Sequence, residues 1–574
     1  METNRAYLQR RLSELEQYFL EKIRNGELKP AGTLEETQWI VFLSIGNPTI
    51  RAKVVKAASS DFRQAFDRVS GKAEQLVTKN NLMPDWIKVD VVSEKRAMPF
   101  SELDLLIKKT RKNYFRHGIS FDGEFRTAFL EQEINGNAMI KAAPKQPLAL
   151  DDQNINRYLS YRDSRAAIFS THALRDSEVW IFRTMAAFAE RETGQIRPLY
   201  NGDRTNGIRL ATDKREEIRH LIEGSTGFLT RNVKQDGQFE YGYFAAFAKR
   251  IGTYNILRHA SSLYAMLEGY EVTGKKETME AVERGLEYLI REALVYKNEG
   301  TEKTAFIVDY ANGSEIKLGS NATAILALSK YMDVTGSKRY ITEARALAKG
   351  IIKMKTVSGG FVHVLSYPSL EIKELHRIIY YEGEAVFALL RLYAIDRQPE
   401  WLQEAKASFD YFIRNRYWTH HDHWLSYAVN ELTLYEPEPT YFEFGLKNCQ
   451  DKLGFIYHRE TTYPTFLELT MAAYKMIKTM QRQGQHGLLD TFNVKDLEDT
   501  IERRAEYQRV GYFYPELAMY MKQPGLVLDG FFIRHHSFRV RIDDVEHYLS
   551  GYCQYYHDRL PDLPIGYEPE MIKI

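Results

Sequence analysis

Residues 254–417 write one unit three times, and that repetition constrains the fold more than any other feature of the chain. The copies run from Tyr254 through LYAMLEGYEVTGKKETMEAVERGLEYLI, from Asn321 through ILALSKYMDVTGSKRYITEARALAKGII, and from Glu384 through VFALLRLYAIDRQPEWLQEAKASFDYFI. Ala265, Ala327 and Ala388 are equivalent, 62 and 61 residues apart. Each copy predicts a helix, a turn at Val272-Thr273-Gly274, Val334-Thr335-Gly336 or Ile395-Asp396-Arg397, and a second helix. In the first copy Ile256, Leu257, Ala260, Leu263, Tyr264 and Leu267 fall at helical spacing, and Val282, Leu286 and Leu289 form the second stripe. Two short helices cannot bury both stripes alone, so neighbouring units must stack and share a core.

The unit is longer than the common solenoid repeats of roughly 33–47 residues. Its extra length lies in strand-like stretches such as FIVDYANGSEIKLG and GGFVHVLSYPSLEIKEL. Large loops on one side of stacked hairpins predict a closed toroid with an elaborated mouth. A turn signature recurs at Gly237-Gln238-Phe239, Gly359-Gly360-Phe361, Gly454-Phe455 and Gly530-Phe531, and weaker copies start near His421, Tyr463 and Asp543. Three clear and three weak copies make six hairpins. The expected fold is mainly α: an (α/α)6 toroid over 221–574, after a small α/β or α+β domain over 1–150 and a linker with an entry helix over 151–220.

Within 1–150 the pattern predicts a helix over 1–25, a hairpin over 35–58 turning at Gly46-Asn47-Pro48, a helix over 60–79, a strand over 86–92, a helix capped by Ser101, and a linker at 141–152. No phosphate loop, dinucleotide fingerprint or nucleophile elbow stands there. Lys plus Arg is 78 and Asp plus Glu 77, a net charge of +1, which points neither to nucleic acid nor to an anionic membrane. Cys449 and Cys553 lack metal-ligand spacing and make no disulfide framework. The charged N-terminus has no apolar signal core, and no run approaches 18 apolar residues, so the expected location is cytoplasmic.

The hairpin repeat, the Gly-Phe turns and the aromatic-rich starts of first helices resemble the six-hairpin toroid superfamily over about 221–560. That group holds glycoside hydrolases, polysaccharide lyases, sugar epimerases and the C-terminal domain of glucuronyl C5-epimerases. The resemblance implies fold and a carbohydrate substrate, and leaves the reaction open. It carries over no catalytic residues, no cofactor and no metal. The chain departs from the zinc-containing toroids in lacking their Cys-His pair.

Chemistry is expected where first helices begin, because parallel inner helices gather their unpaired N–H groups at one end. Tyr254, Asn255, Arg258 and His259 mark the first start, with Arg258 able to hold a carboxylate. Gly319-Ser320-Asn321 reads as a helix cap. Tyr380, Tyr381, Glu382 and Glu384 mark the third start, and Gly383 there suggests close approach of a ligand. Trp418 to Trp424 hold His421 and His423, a sugar-binding wall rather than a metal site. Arg541, Asp543, Asp544 and His547 mark the last start, where Asp543 with Glu546 has capping-box spacing.

Three readings follow. In the first, the chain hydrolyses a glycosidic bond, with Glu384 as acid and Asp544 as base. In the second, a uronate epimerase or lyase uses Tyr380, Tyr381 or His259 as base and acid, with Arg258 or Arg541 neutralising the carboxylate. In the third, a toroid without catalysis binds a glycan or a protein, and the N-terminal domain docks a protein partner.

Overall fold

A computed structural model describes residues 3–32, 38–202, 205–299 and 302–564. In the N-terminal unit an antiparallel sheet runs, edge to edge, through Asn206–Arg209, Ile196–Asn201, Glu178–Glu190, Trp86–Pro99, Trp39–Asn47 and Ile50–Ser59. Alternation along the central strand makes the sheet two-faced. Val41, Leu43 and Ile45 face helices α1 (Asn4–Arg24) and α2 (Phe62–Asn80), while Ile40 and Phe42 pack with Met519 and Tyr520 from the far part of the chain. The short helices α3 (Phe100–Lys109), α4 (Glu131–Gly136) and α5 (Asp152–Arg162) complete this unit.

The first helices and the hairpin agree with the sequence pattern, although residues 35–37 of the expected hairpin lie outside the described residues. Three details differ. Ser101 does not cap α3, which begins at Phe100 behind Pro99 and has no side-chain cap. The stretch 141–152 is no plain linker: Ile140–Ala142 pairs with Leu148–Leu150. Residues 178–190, within the segment expected to hold the entry helix, form a central strand between Trp86–Pro99 and Ile196–Asn201. VWIF and FAE there alternate too little to reveal a strand covered on both faces.

From α6 (Lys214–Asn232) the chain alternates outer and inner helices. The expected linker already contains the last strand of the sheet and the start of α6, capped by Asp213. Then come α7 (Ile256–Thr273), α8 (Lys276–Ala293), α9 (Leu318–Thr335), α10 (Ile341–Lys353), α11 (Tyr380–Asp396) and α12 (Pro399–Arg414). The later turns are α13 (His423–Leu432), α14 (Pro439–Gln450), α15 (Leu453–Tyr457), α16 (Thr465–Arg482), α17 (Val494–Gln508), α18 (Pro515–Ala518) and α19 (Ile542–Gln554).

The inner ring closes. α7 packs on α9, α9 on α11, α11 on α13, α13 on α16, α16 on α19, and α19 back on α7. The outer helices α6, α8, α10, α12, α14 and α17 each lie against an inner neighbour. Sequence explains the division. α9 reads LGSNATAILALS, small or apolar on every side, and is buried all round; α8 carries one apolar stripe and keeps its charged face outside. The fold is a six-hairpin (α/α)6 toroid preceded by a strand-rich unit.

The Gly-Phe signature marks one recurring turn. Phe239 bridges Val233 and Phe361 bridges Lys355, and Gly237 and Gly359 take left-handed φ of 92° and 103° at the same place in each. Gly454-Phe455 is an exception and sits inside α15. Between hairpins, strands Leu294–Glu299, Glu302–Asp309, Glu315–Lys317, Val364–Ser366 and Ile372–Glu374 form one antiparallel sheet leading into the starts of α9 and α11. No helix among the described residues is long and apolar enough to cross a membrane.

Candidate active site

Five of the six inner helices bring their first turns, or the loops just before them, to one cavity of about 360 Å3. α7 contributes Asn255, Arg258 and Ser261; α11 contributes Tyr380, Tyr381 and Glu384; α13 contributes His423 and Trp424. Tyr463 precedes α16, and α19 brings Arg541, Asp543, Asp544, Glu546 and His547. The sixth inner helix, α9, reaches the site through Gly319. A Cβ there would lie 2.2 Å from Glu384 Oε2 and 2.6 Å from the Tyr381 ring, so only glycine leaves room for that carboxyl. A larger cavity of about 800 Å3 in the N-terminal unit has neither histidine nor tyrosine among its lining residues.

The charged groups sort into two sets. On one side Arg539 binds Asp544 through two bonds of 3.0 Å, Arg541 reaches Asp543 at 2.9 Å and Asp544 at 3.1 Å, and Arg258 Nε meets Asp543 at 2.9 Å. Burial pushes Asp544 up, but Arg541 and Arg539 outweigh it and hold the carboxyl below its ordinary range. Burial and the adjacent Asp544 raise Asp543.

On the other side lie groups with too few partners. Glu384 is buried and its Oε2 has no hydrogen-bond partner. Burial, then the charges of Asp422 and Glu546, push its pKa well above the carboxylate range. Glu546 accepts from Ser261 at 3.0 Å and is pushed up to about 8, mainly by burial. His423 and His547 stand edge to face, ring centroids 5.3 Å apart. Burial, then the charge of His547, drives His423 well below its ordinary pKa, and its Nε2 is unpartnered. Burial opposes charge on His547 as well, but Glu546 and Glu468 override it and lift the ring to about 10; its Nδ1 lies 3.0 Å from Glu468 Oε2. The surroundings thus push the two neighbouring rings in opposite directions.

No family model matches the chain, and no curated protein matches it. Among solved structures, similarity extends to a cellobiose 2-epimerase from Bacillus thermoamylovorans at 12% identity, covering 60% of this chain and 98% of that one, with a TM-score of 0.46. A D-mannose isomerase is similar at 11%, 60%, 98% and 0.45, and a GH76 α-mannanase from Bacteroides thetaiotaomicron at 9%, 60%, 97% and 0.45. The toroid itself is established by the closed helix ring.

The cavity gathers Glu384, Asp544, Tyr381, Asn255, Arg258, Tyr380, His423, Trp424, Arg541 and His547 from the residues singled out by sequence. Four others stand apart. His259 is fully buried, contacting Tyr254 Oη at 2.7 Å and the Gly285 carbonyl at 2.9 Å, and burial drives it down to about 4; it ties α7 to α8. Tyr254 joins that network and accepts the Phe239 N–H. Glu382 turns away to accept from Tyr417. His421 contacts the Asn448 carbonyl at 2.9 Å.

Other local expectations change too. Asp543 and Glu546 form no capping box: the N-cap of α19 is Arg541, with no side-chain cap. Asn321 does not cap α9 but accepts the Ile307 N–H, anchoring the adjacent strand. At Gly383 the close approach comes from Asp422 Oδ2 and Leu425 N, each 2.7 Å from where a Cβ would sit, rather than from a ligand.

Glu468 and Glu546 were missed as partners of His547. Nothing local marks Glu468, which lies mid-stripe in α16 and enters the site only because the ring closes. Two trios among the described residues place ligand-type atoms within 4.8 Å of one another: His363, His376 and Glu382, and His423, Glu468 and His547. In the first, His363 Nδ1 accepts the Arg377 N–H, which leaves the proton on Nε2. In the second, Nδ1 of His547 faces two carboxyl groups. The first arrangement favours a proton over a metal ion.

Proposed function

We propose that the chain is a carbohydrate-active enzyme that moves a proton at a sugar carbon beside a carboxylate, as a uronate epimerase or lyase does. The carrying observation is the His423–His547 pair, two rings edge to face in the cavity with His423 Nε2 unpartnered and His547 Nδ1 beside Glu468, surroundings that push their pKa values in opposite directions. Environments that push neighbouring groups apart assign a base and an acid. His423 takes the proton from carbon through its free Nε2. The electron pair left on carbon delocalises into the substrate carboxylate, where the His547 cation stabilises it. Tyr381 or the protonated Glu384 returns a proton to the opposite face in an epimerase. In a lyase, Glu384 instead protonates the departing glycosidic oxygen as the C–O bond breaks.

Charge favours an acidic sugar. Three guanidinium groups, Arg258, Arg539 and Arg541, stand against the two carboxylates they bind, Asp543 and Asp544, while His547 is matched by Glu468 and Glu546. The hydrolytic pair expected from sequence fits less well. Both Asp544 oxygens are taken up by the Arg539 and Arg541 guanidinium groups, whereas His423 Nε2 has no partner to give up. Hydrolysis keeps one supporting observation, the unpartnered and protonated Glu384.

The deciding experiment incubates the protein with uronate-containing and neutral oligosaccharides in D2O. The expected result is deuterium beside the carboxylate, or an unsaturated product, lost in His423→Asn. New reducing ends with neither deuterium uptake nor an unsaturated product would replace this reading with hydrolysis.

A further inference from the structure

The seam between the N-terminal unit and the toroid holds two adjoining cavities of about 620 and 580 Å3, which share Asn154, Arg157 and Phe247. Arg51, Lys53, Arg157 and Lys522 line the first; Lys112, Lys141 and Lys249 join Arg157 in the second. No carboxylate lines either cavity. In a chain with a net charge of only +1, such a one-signed stretch is a local concentration of charge.

The inner cations lack counter-ions. The Arg51 guanidinium donates to the Tyr520 and Ala246 carbonyls, and Lys53 donates to the Tyr161 carbonyl while lying 3.4 Å from the Tyr161 ring centre. Those partners satisfy hydrogen bonds and neutralise no charge. Burial accordingly lowers both pKa values. A half-buried cation without an anion costs free energy that an incoming anion returns. Among the described residues only Lys141 of these cations has a carboxylate of its own, Asp151 at 2.7 Å.

The second cavity ends on Ser537 and Phe538, and the candidate active site begins on His535, His536 and Arg539. One loop is therefore a wall of both. Phe247, 41% exposed, offers an apolar face between the two seam cavities.

We propose that this seam is a binding groove for an anionic polysaccharide, which runs from it past residues 535–539 into the toroid cavity. The choice of a glycan rests on the acidic-sugar reading of the cavity; the positive, acid-free wall does not. The cations bind carboxylate or sulfate groups along the chain, and Phe247 packs on a sugar face.

The test uses the full chain, with polygalacturonate, neutral dextran and single-stranded oligo(dT) as probes at low and high salt. Lys249→Glu with Lys522→Glu alters two exposed positions. Polygalacturonate should bind more tightly than dextran, weaken with salt, and lose about tenfold in the double variant. Thermal stability and deuterium uptake into a short uronate oligosaccharide should stay unchanged. Equal binding of polygalacturonate and dextran, or a variant that binds like wild type, overturns the groove. Preference for oligo(dT) overturns it in favour of nucleic acid. Intact groove binding with neither deuterium uptake nor an unsaturated product on any uronate condemns the catalytic reading and leaves the groove standing.

Discussion

His259 and Glu384 are both buried polar residues in the first turns of inner helices, yet their surroundings give them opposite roles. Both His259 nitrogens have partners, Tyr254 and the Gly285 carbonyl, so the ring is a structural tie. Its pKa falls from an ordinary 6.5 to about 4 on folding. Between those values the unfolded chain binds the extra proton, so stability falls as pH drops through that window. The size is about 3 kcal/mol. His259→Gln should flatten that part of the pH profile by roughly this amount in urea melts. Glu384 behaves in the reverse sense: its raised pKa keeps the folded carboxyl protonated while the unfolded one ionises, so stability falls as pH rises above the ordinary carboxylate value. Glu384→Gln removes that term. The variant should be more stable than wild type at pH 8, with the advantage vanishing below pH 4, while deuterium exchange is lost. Equal pH profiles would show that Glu384 is ionised in the folded protein.

The helices decide which first turns can meet, and glycines decide how closely. Gly319 on α9 faces Glu384, and Gly383 on α11 faces Asp422 and the start of α13. Alanine normally gains up to about 1 kcal/mol over glycine inside a helix. At Gly383 the new methyl would press on backbone as well as on Asp422, and overpacking of about 1–3 kcal/mol should dominate. At Gly319 the new methyl meets the Glu384 carboxyl and the Tyr381 ring, side-chain atoms that can move. Gly319→Ala should therefore cost activity at least about tenfold at small cost in melting temperature, and Gly383→Ala should cost stability. The six inner helices were legible because periodicity survives even in the weak copies: His421, Tyr463 and Asp543 fall within two residues of where α13, α16 and α19 begin. Side-chain partners were less legible. Arg258 looked free to hold a substrate and instead meets Asp543 from the opposite end of the repeat region. The strand at 178–190 was lost for a similar reason, since its neighbours at 86–99 are distant in sequence and supply its second buried face.

At the scale of the molecule, the segment between α17 and α19 fastens the N-terminal sheet to the toroid. Ala52 N–H donates to the Met519 carbonyl at 2.7 Å, Gly525 N–H donates to the Pro48 carbonyl at 2.7 Å, and Ser44 and Tyr520 hydroxyls meet at 2.8 Å. The strongest tie is ionic. Arg209, on the last strand of the sheet, binds Glu516 on α18 through Nε at 2.9 Å and Nη2 at 2.7 Å, and both side chains are buried. A buried pair contributes little over an apolar one, but losing one member strands the other charge, at about 3–5 kcal/mol. Arg209→Met leaves Glu516 in that position. Because the lost term lies at the seam, the expected effect is decoupling: urea unfolding that is a single transition in wild type should separate into two in the variant. Arg209→Met with Glu516→Gln removes the stranded charge and should restore most of the midpoint. If Arg209→Met lowers the midpoint yet keeps one transition, the seam is held by its apolar face, with Phe42, Met519 and Tyr520 carrying the coupling. If the midpoint does not move, Glu516 has found water or another partner. The same variant reports on the groove, since Arg51 and Lys53 meet Lys522 only while the sheet stays docked. Decoupled units should therefore bind polygalacturonate more weakly even with every groove cation in place.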